Sequence, residues 1–177
     1  MGDSTTWHFI GLVLIIFLAS IQGRAGRMGT LGMVLCSFPA TLLHELSHWT
    51  VCLVSGGGPT GFTLLPELVS SDMEDGSERK RWRLGSVGIS KPGILSTVPT
   101  ALAPLLYIPA ALLVFLYWDD FFTKSLVSTL LMYVTICFLV TAAIPSSQDI
   151  RTAFSNLSSV VLYMGIIGPS IFLWYVF

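Results

Sequence analysis

The chain has 177 residues, 53% of them hydrophobic and only 11% charged, with nine Lys and Arg against ten Asp and Glu. Soluble domains carry about 25% charged residues, so the composition excludes an ordinary soluble globule and predicts an all-α polytopic membrane protein. A net charge of -1 and the lack of a long basic tract argue against a nucleic-acid partner.

Apolar stretches suited to crossing a bilayer number about five, at 7–22, 30–54, 98–118, 123–144 and 156–177. The first follows Met1-Gly-Asp-Ser-Thr-Thr6, which has an Asp and no Lys or Arg. That is the wrong polarity for the leader of a signal peptide, so 7–22 reads as a retained transmembrane helix. The same leader fits a myristoylation pattern, but an acyl chain adds little anchoring to a polytopic protein.

The second stretch carries His44-Glu45-Leu46-Ser47-His48. An ionisable side chain near a bilayer centre costs on the order of 2.5–3.5 kcal/mol on insertion scales, and three fall here within little more than a turn. Positions i and i+4 share a helix face, so both imidazoles can reach one metal ion. Glu45, beside the first of them, is then placed to act as general base. This is the H-E-x-x-H arrangement of a zinc metalloprotease.

Residues 55–97 form the one long non-helical segment. It opens with Gly56-Gly-Gly-Pro59, crosses a polar tip at 70–78 and returns through Trp82-Arg-Leu-Gly-Ser-Val-Gly-Ile89. Asp75-Gly76 marks a turn, and β-branched and aromatic residues recur on both arms, which predicts a loose β-hairpin, with a disordered loop as the alternative. The third stretch, 98–118, is almost free of polar residues. After the fourth comes Ala143-Ile-Pro-Ser-Ser-Gln-Asp149, where Pro145 breaks the helix.

A catalytic zinc takes three protein ligands and keeps a fourth position open. His44 and His48 supply two. The third follows by elimination. His8 lies in the first helix, Asp119 and Asp120 fall on the opposite membrane face, and Glu67, Asp72, Glu74, Asp75 and Glu78 belong to the hairpin region. Asp149 is left, at the depth of the motif. It also fits a capping box with Ser146, a role partly compatible with ligation. Asn156 and Gln148 are weak candidates for stabilising an oxyanion. Cys36, Cys52 and Cys137, odd in number and without a C-x-x-C, read as reduced packing residues.

An H-E-x-x-H at the end of one membrane helix, an intervening helix, and a Pro-and-Asp segment closing a third resemble the core of the site-2 protease family of intramembrane metalloproteases. The likeness covers 30–155 and rests on His44, Glu45, His48 and Asp149. It implies one zinc ion and hydrolysis of membrane-embedded or membrane-adjacent protein or peptide substrates. It further implies a metal site toward the cytosolic face, and an insert at 55–97 like the membrane-associated β-element of that family. The family's Leu-Asp-Gly is here Gln148-Asp149-Ile150, and its Gly-Pro is Ala103-Pro104. The chain thus reads as one membrane domain, 1–177, of a small and divergent relative.

Counting Lys and Arg by side agrees on topology. Arg79, Lys80, Arg81, Arg83, Lys91 and Arg151 share a face, against Arg24, Arg27 and Lys124, which favours a cytoplasmic hairpin and 145–155 segment. Competing readings are a divalent-metal transporter, disfavoured by the absence of visible repeats and of polar residues in 98–118, and a catalytically silent zinc-binding adaptor. A structural zinc site would want four Cys or His ligands, which the motif's surroundings do not supply.

Overall fold

The computed structural model describes residues 4–24, 27, 29–64, 67–72, 78–83 and 85–176. The chain is mostly helical. Helix α1 (Ser4–Arg24) is followed by α2 (Gly29–Val54), four short strands, and α3 (Thr97–Ala101) leading through a 3-10 turn at Ala103–Leu106 into α4 (Tyr107–Phe121). Helices α5 (Leu126–Ala142), α6 (Ser147–Ser155) and α7 (Leu157–Val176) complete it.

Each of the five apolar stretches is helical, but the third is broken. Pro99, Pro104 and Pro109 recur through it. Each lacks an N–H and disfavours helical geometry in the residue before it. Among the described residues, two helical stretches, Thr5–Arg24 and Ala103–Phe121, are long and apolar enough to cross a membrane. A third exists if α5 and α6, bent by 51° at Pro145, are one broken span.

Helix α2 contains Pro39 and runs for 26 residues. It ends where Gly56 takes a left-handed φ of 74°. There Gly57 N–H donates to the Cys52 carbonyl at 2.8 Å, so a glycine closes the helix and turns the chain out of it. Strand β1 (Pro59–Thr63) then pairs antiparallel with β4 (Ser86–Ile89), and β2 (Glu67–Asp72) pairs with β3 (Glu78–Arg83). The two ladders are nested, which makes a single long hairpin with a break between them. Its register shifts between Thr60 and Phe62, where Gly61 sits at φ 67° in a bulge. The expected turn at Asp75-Gly76 lies outside the described residues. At its foot the ladder continues into the end of α2, with Ser90 N–H donating to Gly58 O and Lys91 N–H to Gly57 O.

Helix α1 lies along α5 and is held near both ends. His8 Nδ1 is 3.2 Å from the Tyr133 hydroxyl, and the Thr141 hydroxyl donates to Gln22 Oε1 at 3.1 Å. Between them the Tyr133 ring fills the space over Gly11, where a Cβ would stand 2.1 Å from a ring carbon. Helix α7 grips the segment before α3. Its buried Ser159 donates to Ile94 O at 2.6 Å, and Tyr163 donates to Leu95 O at 3.0 Å. All three cysteines are free, with Cys52 and Cys137 buried.

The Gly11 contact generates a stability prediction. Gly11→Ala forces Tyr133 or the whole of α1 to move, an overpacking that costs about 1–3 kcal/mol. Thermal unfolding in detergent should show the loss, and Tyr133→Ala in the same chain should remove most of it.

Candidate metal centre

Two elements far apart in sequence meet at one point. Helix α2 brings His44 and His48 on one face, a turn apart, with their rings 4.7 Å between centroids and nearly perpendicular. The start of α6 brings Asp149. His44 Nε2 lies 3.2 Å from Asp149 Oδ2, His48 Nε2 lies 3.2 Å from Asp149 Oδ1, and the two Nε2 atoms are 3.1 Å apart. His48 and Glu45 are buried, and the Asp149 side chain is 13% exposed.

Hydrogen bonds on the far side of each ring fix which nitrogen faces inward. His44 Nδ1 is 2.9 Å from the Ala142 carbonyl, and His48 Nδ1 is 2.6 Å from the Thr100 carbonyl. A carbonyl can only accept, so both Nδ1 atoms carry the proton. In the neutral imidazole both Nε2 atoms then present lone pairs. Two lone pairs and a carboxylate thus converge, an arrangement that is repulsive until a cation sits among them. A tetrahedral ion bound at about 2.0–2.1 Å sets its ligand atoms about 3.3 Å apart. The two Nε2 atoms are near that spacing, each imidazole approaches one carboxylate oxygen as closely, and one ligand atom from each residue lies within 4.8 Å of the others, so His44, His48 and Asp149 can hold a metal ion.

Two prolines make this possible. In an α-helix the carbonyl of residue i accepts from the N–H of residue i+4. For Thr100 that partner is Pro104, which has no N–H, so the carbonyl is left to hold His48. For Ala142 the partner is Ser146, beyond the break at Pro145. Ser146 N–H instead donates to Asp149 Oδ2 at 2.6 Å. The freed Ala142 carbonyl holds His44. Each ligand imidazole is thereby fixed by a carbonyl its own helix cannot use.

Asp149 performs both roles that its sequence position offered. Ser146 Oγ accepts from Asp149 N–H at 3.1 Å while the Asp149 carboxylate accepts from Ser146 N–H, a complete capping box opening α6. The cap fixes the side chain and aims it at the two imidazoles. The hydrogen bond that Ser146 N–H donates to its Oδ2 at 2.6 Å favours the ionised carboxylate.

The other candidates go elsewhere. His8 pairs with Tyr133, nine residues before Ala142 on α5, or about 14 Å along the helix. Tyr107, at the start of α4, donates to Leu43 O at 2.8 Å. Asp119 and Asp120 lie near the opposite end of that helix, about 18 Å away at its 1.5 Å rise, and Asp119 faces Lys124 at 3.5 Å. Glu67, Asp72 and Glu78 belong to β2 and β3, while Glu74 and Asp75 lie outside the described residues. Gln148 is exposed, and Asn156 Oδ1 accepts from Ser159 N–H at 3.1 Å, capping α7. The motif search does not find the Thr100 and Ala142 carbonyls, since any residue supplies one. Their signal is indirect, in the spacing of Pro104 and Pro145.

Comparison with protein-family models, with curated proteins and with solved structures finds no match to this chain.

Two variants separate the parts of this centre. Asp149→Ala should lose metal, read by elemental analysis of the purified protein, along with about 0.5–2 kcal/mol from the broken cap. Retention of full metal would leave Asp149 with the cap alone. Pro104→Ala restores an N–H that competes for the Thr100 carbonyl. Chelator competition should show metal affinity lower by about 10–100-fold, the usual effect of losing an outer-shell partner.

Proposed function

We propose that this protein is a zinc-dependent intramembrane metalloendopeptidase, a small and divergent relative of the site-2 proteases. The observation that carries the reading is the convergence of His44 Nε2, His48 Nε2 and the Asp149 carboxylate beside a buried glutamate. Two nitrogens and one oxygen at these separations suit zinc, and three ligands leave the fourth position open for chemistry. Bound zinc would lower the pKa of water toward neutrality and polarise a peptide carbonyl.

The chain's own groups do the rest. Glu45, adjacent to His44 and buried, takes a proton from the attacking water and returns it to the leaving amine. His44 and His48 stay oriented with Nε2 inward, because the Ala142 and Thr100 carbonyls accept from their Nδ1–H groups. A helical substrate hides its carbonyls in hydrogen bonds and must unwind before attack. Among the described residues strand β4 pairs with β1 alone, and its second edge is the one that would receive an unwound strand by β-augmentation.

A membrane setting is supported by the outward side chains. Phe9, Ile16, Phe17, Leu116 and Phe115 are exposed on α1 and α4, the faces that would meet lipid. A cytoplasmic side for the hairpin and the metal site is supported by the distribution of Lys and Arg.

Glu45→Gln tests the assignment of roles. With a membrane-protein substrate in proteoliposomes, the variant should bind zinc in full yet lose hydrolysis by at least about 100-fold, the lower range for an acid–base group. Loss of zinc with the fold intact would make Glu45 a ligand. Wild-type protein that binds zinc but cleaves nothing would favour a silent adaptor, and zinc flux through the liposomes a transporter.

A further inference from the structure

Gly85 stands at the foot of β4, between the two ladders of the hairpin, where the pairs Thr63–Ser86 and Glu67–Arg83 flank it. A Cβ at this position would lie 2.6 Å from Glu45 Cγ, 2.8 Å from Oε1 and 2.9 Å from Cδ. The hairpin and the motif helix thus touch through the bare backbone of Gly85 and the carboxyl end of Glu45.

The backbone does not require glycine here. The described glycines with positive φ are Gly56, Gly58 and Gly61, and Gly85 is not among them. Space is the remaining reason. At Gly88 the crowding atom is the Thr60 carbonyl oxygen at 2.5 Å, so a side chain there would push on the ladder itself. At Gly85 all three nearest atoms belong to a glutamate side chain, which can swing away. A methyl group at 85 therefore leaves the fold in place and displaces Glu45.

We infer that Gly85 is a positioning residue for Glu45: strand β4 omits a side chain at this point so that the carboxyl can stand where the proton transfer needs it. The inference rests on the role proposed for Glu45 above. Ordinary contact with a Cβ begins at 3.4 Å, so the carboxyl end must retreat by about 0.8 Å in the alanine variant. A misplacement near 1 Å costs a reacting group about 100-fold.

The test is Gly85→Ala in the full chain, with Gly23→Ala as control, since nothing lies within 4 Å of a Cβ at Gly23. Gly85→Ala should lower kcat about 10–100-fold while KM, bound zinc and thermal midpoint stay at wild-type values. The control should change none of these. In protein labelled with 13C at the glutamate carboxyls, the resonance that Glu45→Gln abolishes should shift in Gly85→Ala and stay put in Gly23→Ala. An undiminished kcat, an unmoved resonance, or loss of fold or zinc would each overturn the inference. If Glu45→Gln is itself as active as wild type, the protease reading fails first. If Glu45→Gln is inactive and Gly85→Ala is normal, only the role of Gly85 fails.

Discussion

The arrangement depends on three electron-pair donors being forced together in a largely apolar chain. Two imidazoles and a carboxylate face each other at 3.1–3.2 Å, and nothing in their own chemistry favours that approach. The surrounding backbone imposes it. Carbonyls at Thr100 and Ala142 hold the outer ring nitrogens, and the capping box at Ser146 holds the carboxylate. A cation at the centre turns the repulsion into attraction, so the fold keeps a site ready that only a positive charge completes.

The carbonyls are available because two helices are interrupted at the same place. An intact helix consumes its carbonyls internally and has none to offer a neighbour. Pro104 and Pro145 each break that economy about one turn beyond the carbonyl that holds a ligand histidine. At Pro145 the same break starts a new helix whose first turn carries Asp149. Helix-breaking residues in an apolar segment are tolerable when the freed groups find partners, and here the partners are the site itself.

The hairpin joins this centre at one point. Its foot continues the last turn of α2 through Gly57 and Gly58, which ties its placement to the helix that carries the motif. With β4 paired to β1 and Gly85 against Glu45, the strand stands beside the motif helix. The closeness of that approach is set by the absence of a single methyl group.

Much of this was legible in the residues alone. The apolar stretches at 7–22, 30–54, 123–144 and 156–177 coincide with helices because apolar runs of that length leave a chain few other ways to satisfy its backbone. The i, i+4 spacing placed His44 and His48 on one face, since helical periodicity is a local property. Glycines and β-branched residues marked the hairpin. The break of 98–118 into α3, a 3-10 turn and α4 is marked only by its three prolines, within a run whose apolar composition alone fits one continuous helix. Asp149 emerged as a candidate by elimination, with ligand and cap as rival roles. What the sequence by itself determined was therefore each local element and the pair of histidines. Only the tertiary structure decided that cap and cluster share one carboxylate, that carbonyls 52 and 98 residues from their histidines fix the rings, and that Gly85 abuts Glu45. Those are contacts between segments distant in sequence, made by backbone atoms or by a missing side chain, and neither leaves a periodicity or a residue type to read.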